Sequence, residues 1–132
     1  GLRTDNFYST FLDGDVTYHD FEGLTVYPGE QERLVASLGT KNIMLLRNHG
    51  SLTVGQSIPQ ALNRMWVLQR ACEVQLAAHA SGADVIPVEA HAIQASQQAN
   101  ENEDTGAKMP IEQMVFDALV RDIDRIDMSY KT

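Results

Sequence analysis

The sequence predicts a single α/β domain whose helices lie in layers around a mixed sheet. Two segments lead to this prediction: a short, uniformly apolar run from Asn42 to Arg47, and a long amphipathic stretch from Ile58 to about Ser81. The first is typical of a strand buried on both faces, and the second is typical of a helix. Because strand and helix patterns alternate along 132 residues, we expect them to share one core.

The segments before residue 42 predict smaller elements. Residues 1–15 carry weak signals that end in the turn residues of "LDGD". Short strands are expected at Val16 to His19 and at Leu24 to Tyr27. A helix should follow Pro28 and Gly29 and stop at Gly39, which is suited to the end of a helix.

The stretch "LLRNHGSLTVG" predicts a hairpin. Ser51 to Val54 would pair antiparallel with the apolar strand before it, which we expect to be the central strand. Gly50 is free to adopt a positive φ in the connecting turn. His49 would therefore lie at the tip of the hairpin.

The long helix has well-defined ends. Ser57 is a candidate N-cap, Gln60 can complete a capping box, and Gly82 suits the position after the last turn. Its apolar stripe comprises Ala61, Leu62, Met65, Trp66, Leu68, Cys72, Leu76 and His79.

Two weaker helices are expected in the last third of the chain. One is Ala- and Gln-rich and runs from about Val88 to Gln98, and the other is amphipathic and starts at Pro110. The stretch from Asn100 to Lys108 between them reads as an acidic loop, and the tail after residue 127 has no clear element.

Composition excludes several classes of function. A net charge of -8 would repel a nucleic-acid backbone, and no apolar run is long enough for a membrane span. A single cysteine, Cys72, cannot form an intramolecular disulfide, which suits a reducing compartment, so we expect a cytoplasmic protein without nucleic-acid or membrane partners.

The four histidines are the candidate metal ligands. His49 follows a rigid strand and precedes glycine, so a metal could approach it closely, although a lone histidine in a turn is more often structural. His19 lies beside Asp20 and Glu22, but strand alternation puts it on the face opposite Asp20, so the three should not converge and a surface or hydrogen-bonded structural role is favoured. His79 suits packing or the negative end of the helix dipole, and His91 is expected to be exposed.

No familiar catalytic motif accompanies these histidines. The sequence lacks H-x-H, H-E-x-x-H, C-x-x-C, a glycine-rich phosphate loop and G-x-S-x-G. Cys72 and Trp66 lie on an apolar helix stripe, where a core or interface position is more common than a reactive one.

Four segments in this order resemble the class II aldolase/adducin family: "YHDFEG", "LLRNHGSLTVG", "RACEVQLAAHASGA" and "DRIDMSY". The last resembles the tail of the bacterial adducin-like branch. The resemblance implies an α/β/α sandwich around a mixed, largely antiparallel sheet. Residues 1–132 would form the C-terminal part of one such domain, and the domain would be incomplete.

The resemblance also implies a function. Members include zinc-dependent lyases that cleave a carbon–carbon bond of a hydroxy-ketone or sugar phosphate through a metal-stabilised enediolate, commonly as tetramers. His49 matches the third histidine ligand of Zn²⁺ or another divalent metal, with Asn48 and Gly50 positioning it. A tyrosine from a neighbouring subunit donates a proton in the aldolases, and both Tyr8 and Tyr18 lie in the matching interval.

The resemblance further implies that essential groups would precede Gly1. These are the H-x-H ligand pair, an acidic catalytic residue and the phosphate-binding groups, and none of them is found here. With one ligand of three, the chain by itself should bind metal weakly, because zinc affinity depends on several ligands in one geometry. The alternative is a non-catalytic adducin-like module for assembly and protein contacts.

Overall fold

The computed structural model describes residues 1–24, 28–101 and 109–131. Its elements, in chain order, are helix α1 (Phe7–Thr10), strand β1 (Val16–His19), helix α2 (Glu30–Leu38), strands β2 (Ile43–Leu46) and β3 (Gly50–Thr53), helices α3 (Ile58–Ala80), α4 (Ala90–Glu101) and α5 (Ile111–Ile126), and a 3₁₀ turn (Ser129–Lys131). The alternation of strands and helices confirms the predicted α/β class.

The described strands form a three-stranded mixed sheet in the order β1-β2-β3. β1 pairs parallel to β2, with Val16 opposite Ile43, and β2 pairs antiparallel to β3, with Leu46 opposite Gly50. β2 is therefore the central strand, as predicted from its uniformly apolar sequence. Because β1 and β2 run in the same direction, their carboxyl ends lie at the same edge of the sheet.

The core lies between the sheet and helix α3. Leu12, Ile43, Leu68 and Ala71 form a buried cluster, and Ile43 and Ala71 are fully buried. The predicted apolar stripe of α3 is only partly correct, because Trp66 is 54% exposed and Leu76 is 70% exposed. Ala71 was not in the predicted stripe, yet its small side chain lets the helix approach the sheet closely.

The ends of α3 agree closely with prediction. Ser57 Oγ accepts a hydrogen bond from the backbone N–H of Gln60, and Gly82 has a φ of 72°. The reciprocal bond differs from a standard capping box, since Gln60 Oε1 accepts from the backbone N–H of Gln56 instead of Ser57. The side chain of Gln60 thus bonds to the backbone of the residue before the N-cap and not to that of the N-cap itself.

Two elements of the structure were not predicted from the sequence. Helix α1 has a complete capping box, in which Asn6 Oδ1 accepts from the backbone N–H of Ser9 and Ser9 Oγ accepts from the backbone N–H of Asn6. The tail forms a 3₁₀ turn, in which Asp124 accepts hydrogen bonds from Tyr130 and Lys131. Both elements depend on local polar bonds more than on apolar periodicity, so a search for periodicity misses them.

Other predictions concern the surface and the segments between elements. Helix α5 forms where an amphipathic helix was predicted, but none of its residues is buried, and Ile126 is 86% exposed. Residues 25–27 of the second predicted strand and residues 102–108 of the acidic loop lie outside the described residues. Within the described ranges, no helix is long and apolar enough to cross a membrane.

Candidate functional site

The candidate site lies at the sheet edge where β1 and β2 both end. The segment after β1 carries Asp20, Phe21 and Glu22, and the loop after β2 carries His49. The backbone N–H of Arg47 donates a 2.9 Å hydrogen bond to the carbonyl oxygen of His19, so the two segments remain paired beyond the last strand residues. Two stretches far apart in sequence are thereby brought side by side.

His49 lies at the tip of the β2–β3 hairpin, as predicted, and it is exposed. The predicted positive φ at Gly50 is wrong: Asn48 adopts it instead, with a φ of 56°. Asparagine reaches this left-handed conformation more readily than most residues because its short polar side chain can bond locally. The backbone N–H of His49 donates to the carbonyl oxygen of Leu46 over 3.1 Å, which closes the turn.

The ring of Phe21 stacks near the imidazole of His49. Their ring centroids are 6.5 Å apart and their planes are inclined by 27°. A small cavity of about 60 Å³ lies beside this pair, and His19, Glu22 and His49 all contribute to its wall. His49 thus projects from the hairpin next to an aromatic ring and two titratable groups.

His19 is the buried histidine of this edge, with 8% of its surface exposed. Its Nδ1 lies 2.9 Å from the hydroxyl of Ser37 on α2, and its Nε2 lies 3.5 Å from Glu22 Oε1. The predicted separation of His19 from Glu22 is therefore wrong. The chain leaves the strand after His19, so strand alternation no longer governs the direction of the Glu22 side chain.

Two arginines border a wider cleft of about 490 Å³ on the same edge. Arg33 binds Glu22 through its Nε and one terminal nitrogen, and these hydrogen bonds hold the pKa of Glu22 below its ordinary range. Arg47 Nε lies 2.9 Å from Asp20 Oδ1, and its guanidinium lies 5.2 Å from the centre of the Tyr18 ring. Both arginines are paired with carboxylates, so the cleft offers little unbalanced positive charge to an anion.

The remaining candidates lie away from this edge. His79 Nε2 lies 3.0 Å from Asp5 Oδ2, which joins α3 to the N-terminal segment, and His91 is exposed on α4. Cys72 is half-buried in the helix, and burial raises the pKa of its thiol, which makes it a poor nucleophile.

The two candidate tyrosines have different surroundings. The hydroxyl of Tyr18 accepts a hydrogen bond from the backbone N–H of Leu2. The ring of Tyr8 packs edge-on against Trp66, with 5.8 Å between the ring centroids. Of the two, Tyr18 is the one that borders the wider cleft.

The described residues do not provide a metal site on their own. Across residues 1–24, 28–101 and 109–131, no three histidine, cysteine, aspartate or glutamate side chains are grouped so that they could hold an ion. His49 has the exposure that a ligand needs, whereas His19 is buried, with its Nδ1 bonded to Ser37 and its Nε2 at 3.5 Å from Glu22 Oε1. The donor set present therefore fits at most one ligand of a larger site.

Comparison with solved structures supports the fold. An aldolase II superfamily protein from Pseudomonas syringae superposes with a TM-score of 0.84 at 32% identity, covering 100% of this chain and 51% of that one. An L-fuculose 1-phosphate aldolase from Glaciozyma antarctica PI12 gives a TM-score of 0.62 at 26% identity, covering 75% of this chain and 36% of that one.

Similar sequences include both aldolase class 2 proteins and adducin-related proteins. A provisionally named aldolase class 2 protein of Pseudomonas aeruginosa is 42% identical over 88 residues, which are 67% of this chain and 34% of the relative. An adducin-related protein of Schizosaccharomyces pombe is 34% identical over 124 residues, covering 90% of this chain and 38% of the relative. The chain thus spans little more than a third of the length of these relatives. The model of the Class II Aldolase and Adducin N-terminal domain matches residues 3–76, and the chain belongs to this family.

Proposed function

We propose that residues 1–132 are the C-terminal part of a class II aldolase-type domain, in a lyase that cleaves a carbon–carbon bond of a hydroxy-ketone or sugar phosphate. The observation that carries this proposal is the presentation of His49. Its imidazole is exposed at the carboxyl edge of the parallel strands, in a turn held by Asn48 and beside Phe21. Open α/β sheets commonly bind ligands at this edge.

In this proposal His49 is one ligand of a zinc or other divalent metal ion. Because no three candidate ligands are grouped in the described part of the chain, we assign the remaining donors of the site to residues outside it. Zinc sites require at least three protein ligands, so the chain by itself should bind the ion weakly. Held by its protein ligands with a position left for the substrate, such an ion would supply Lewis-acid chemistry to the lyase.

The substrate class is inferred from similarity to the L-fuculose 1-phosphate aldolase. The wider cleft is a poor candidate for a phosphate subsite, because Arg33 and Arg47 are already paired with Glu22 and Asp20. We therefore assign phosphate recognition to residues outside this chain. By family resemblance we further propose a homo-oligomer, specifically a tetramer.

A second candidate function is a non-catalytic adducin-like module for assembly. It is favoured by the similarity to the adducin-related protein over 90% of this chain. Large apolar side chains are also exposed, among them Trp66 at 54%, Leu76 at 70% and Ile126 at 86%. Tryptophan in particular is enriched at protein interfaces relative to the rest of the surface.

Metal analysis of the complete gene product tests the proposal. We expect close to one zinc per subunit in the natural protein and at least about 100-fold weaker binding in His49→Ala, since loss even of a residue that only orients a ligand costs 10 to 100-fold. His91→Ala is the matched control, because His91 is exposed on α4. Zinc retained at full affinity in His49→Ala would remove His49 from the site.

An activity assay separates the two candidate functions. The complete gene product is incubated with L-fuculose 1-phosphate and related ketose phosphates, and release of dihydroxyacetone phosphate is followed with a coupled dehydrogenase. The lyase proposal predicts zinc-dependent release that His49→Ala abolishes and His91→Ala preserves. A metal-free protein that cleaves none of these compounds would favour the adducin-like module.

A further inference from the structure

We infer that His19 is a positioning residue that orients the hairpin tip carrying His49. Any effect of His19 on metal binding rests on the proposed function, in which His49 is a metal ligand. The carbonyl oxygen of His19 accepts the 2.9 Å hydrogen bond from the backbone N–H of Arg47, the first residue after β2. The backbone of His19 thus fixes the loop from which His49 projects.

The side chain of His19 fixes its own backbone to helix α2. It is more than nine-tenths buried, and its Nδ1 lies 2.9 Å from Ser37 Oγ. The carbonyl oxygen of Ser37 accepts a second bond, from Thr17 Oγ1, so β1 is joined to the same residue of α2 twice. Displacing the His19 ring would loosen the strand end that supports the loop.

The Nε2 edge of the His19 ring approaches the segment that carries Phe21. Among the described residues, its Nε2 has no hydrogen-bond partner but lies 3.5 Å from Glu22 Oε1, at the limit of a hydrogen bond. Glu22 is itself bound by two nitrogens of Arg33 on α2. Phe21 lies between His19 and Glu22 in the sequence, and both of these residues are bound to α2. The ring of Phe21 stacks near that of His49.

These contacts form one connected path from α2 to the candidate ligand. It runs from Ser37 to His19 and then divides into two branches. One branch reaches His49 through the backbone of Arg47, and the other reaches it through Phe21. The small cavity lined by both histidines lies along this path. A change confined to the Ser37–His19 bond should therefore alter the hairpin tip without altering the rest of the sheet.

Ser37→Ala in the complete gene product tests this inference, because it removes the bond to Nδ1 and leaves the buried ring in place. We expect the backbone N–H of Arg47 to exchange with deuterium about fivefold faster, corresponding to the loss of one ordinary hydrogen bond. The ring resonances of His49 should move towards those of an unstacked histidine. The backbone N–H of Val54, which donates to Asn42 at the far end of the hairpin, should keep its exchange rate.

Ser96→Ala is the matched control, because Ser96 also lies in a helix and donates a hydrogen bond to a backbone carbonyl. It should change neither Arg47 exchange nor the His49 resonances. A merely structural role for the Ser37–His19 bond would accelerate exchange at Arg47 and Val54 equally, and that result would overturn the inference. Unchanged exchange and resonances in Ser37→Ala would overturn it as well.

His19→Asn in the complete gene product measures the consequence for metal. We expect weaker zinc binding than in the natural protein, with a smaller loss than in His49→Ala. If the natural protein binds no zinc, the metal proposal fails while the exchange and resonance results still decide the positioning role. If zinc binds and His19→Asn leaves its affinity unchanged, the positioning role fails while the metal proposal stands.

Discussion

Truncation of Ile43 tests the assignment of the core between β2 and α3. Ile43 is fully buried and belongs to the cluster with Leu12, Leu68 and Ala71. Ile43→Ala removes three carbon atoms, each worth about 0.8 kcal/mol of transfer free energy, and the remaining cavity adds to this loss. We expect the free energy of unfolding to fall by about 3 kcal/mol, and by about 1 kcal/mol for Ile43→Val.

Urea unfolding of the 132-residue chain measures these differences. The single tryptophan, Trp66, packs edge-on against Tyr8, so its fluorescence should report the loss of packing. The control is Ile86→Ala, at a residue that is 86% exposed, where we expect a change within about 0.5 kcal/mol. If Ile43→Ala is no more damaging than Ile86→Ala, the assignment of the core is refuted.

Three further predictions concern the hairpin, the sheet edge and the packing of α3. Because Asn48 has a φ of 56°, Asn48→Val should lower the free energy of unfolding by about 1 to 3 kcal/mol in urea, whereas Asn48→Gly should not, and equal effects would contradict the turn assignment. Arg33 lowers the pKa of Glu22, so Glu22 contributes stability above the ordinary glutamate pKa of about 4.3 that is lost as pH falls through the lowered value. Urea unfolding against pH should therefore show a shallower acid loss in Glu22→Gln, and an unchanged slope would argue against the ion pair in solution. Ala71→Leu should cost about 1 to 3 kcal/mol in the same assay, because Ala71 is fully buried, and a stabilised variant would show unfilled space there.

The elements with strong local patterns were predictable from the sequence. The run from Asn42 to Arg47 is apolar on both faces, which is what a central strand requires, and β2 occupies that position. Ser57 and Gly82 carry the chemistry of helix ends, and both act as expected. These features can be predicted without tertiary structure, because each residue bonds to backbone groups only a few positions away.

Burial on α3 was harder to predict, because periodicity identifies an apolar face without saying what covers it. Leu68 and Ala71 are buried in the cluster with Leu12 and Ile43, whereas Trp66 and Leu76 lie on the same helix and remain largely exposed. Residue size also misleads here. A small residue permits the closest approach of two elements, while hydrophobicity scales rank tryptophan and leucine above it.

The candidate site was predictable only in part. His49 could be placed at a hairpin tip because the hairpin is local in sequence. Its neighbours could not, because the parallel pairing of β1 with β2 depends on a connection through α2. That pairing brings Phe21 to His49 and ties His19 to Arg47, and no short-range pattern encodes either contact.

The same contacts bear on the metal ion that we propose His49 helps to bind. His49 is constrained by the left-handed conformation of Asn48, by the ring of Phe21 and by the Arg47 bond to the backbone of His19. A ligand that is ordered beforehand loses less conformational entropy on binding, so more of the interaction energy appears as affinity. We therefore expect the contribution of this sheet edge to be geometric. Variants that loosen the tip while retaining the imidazole should weaken metal binding in the complete protein, in proportion to the mobility they introduce.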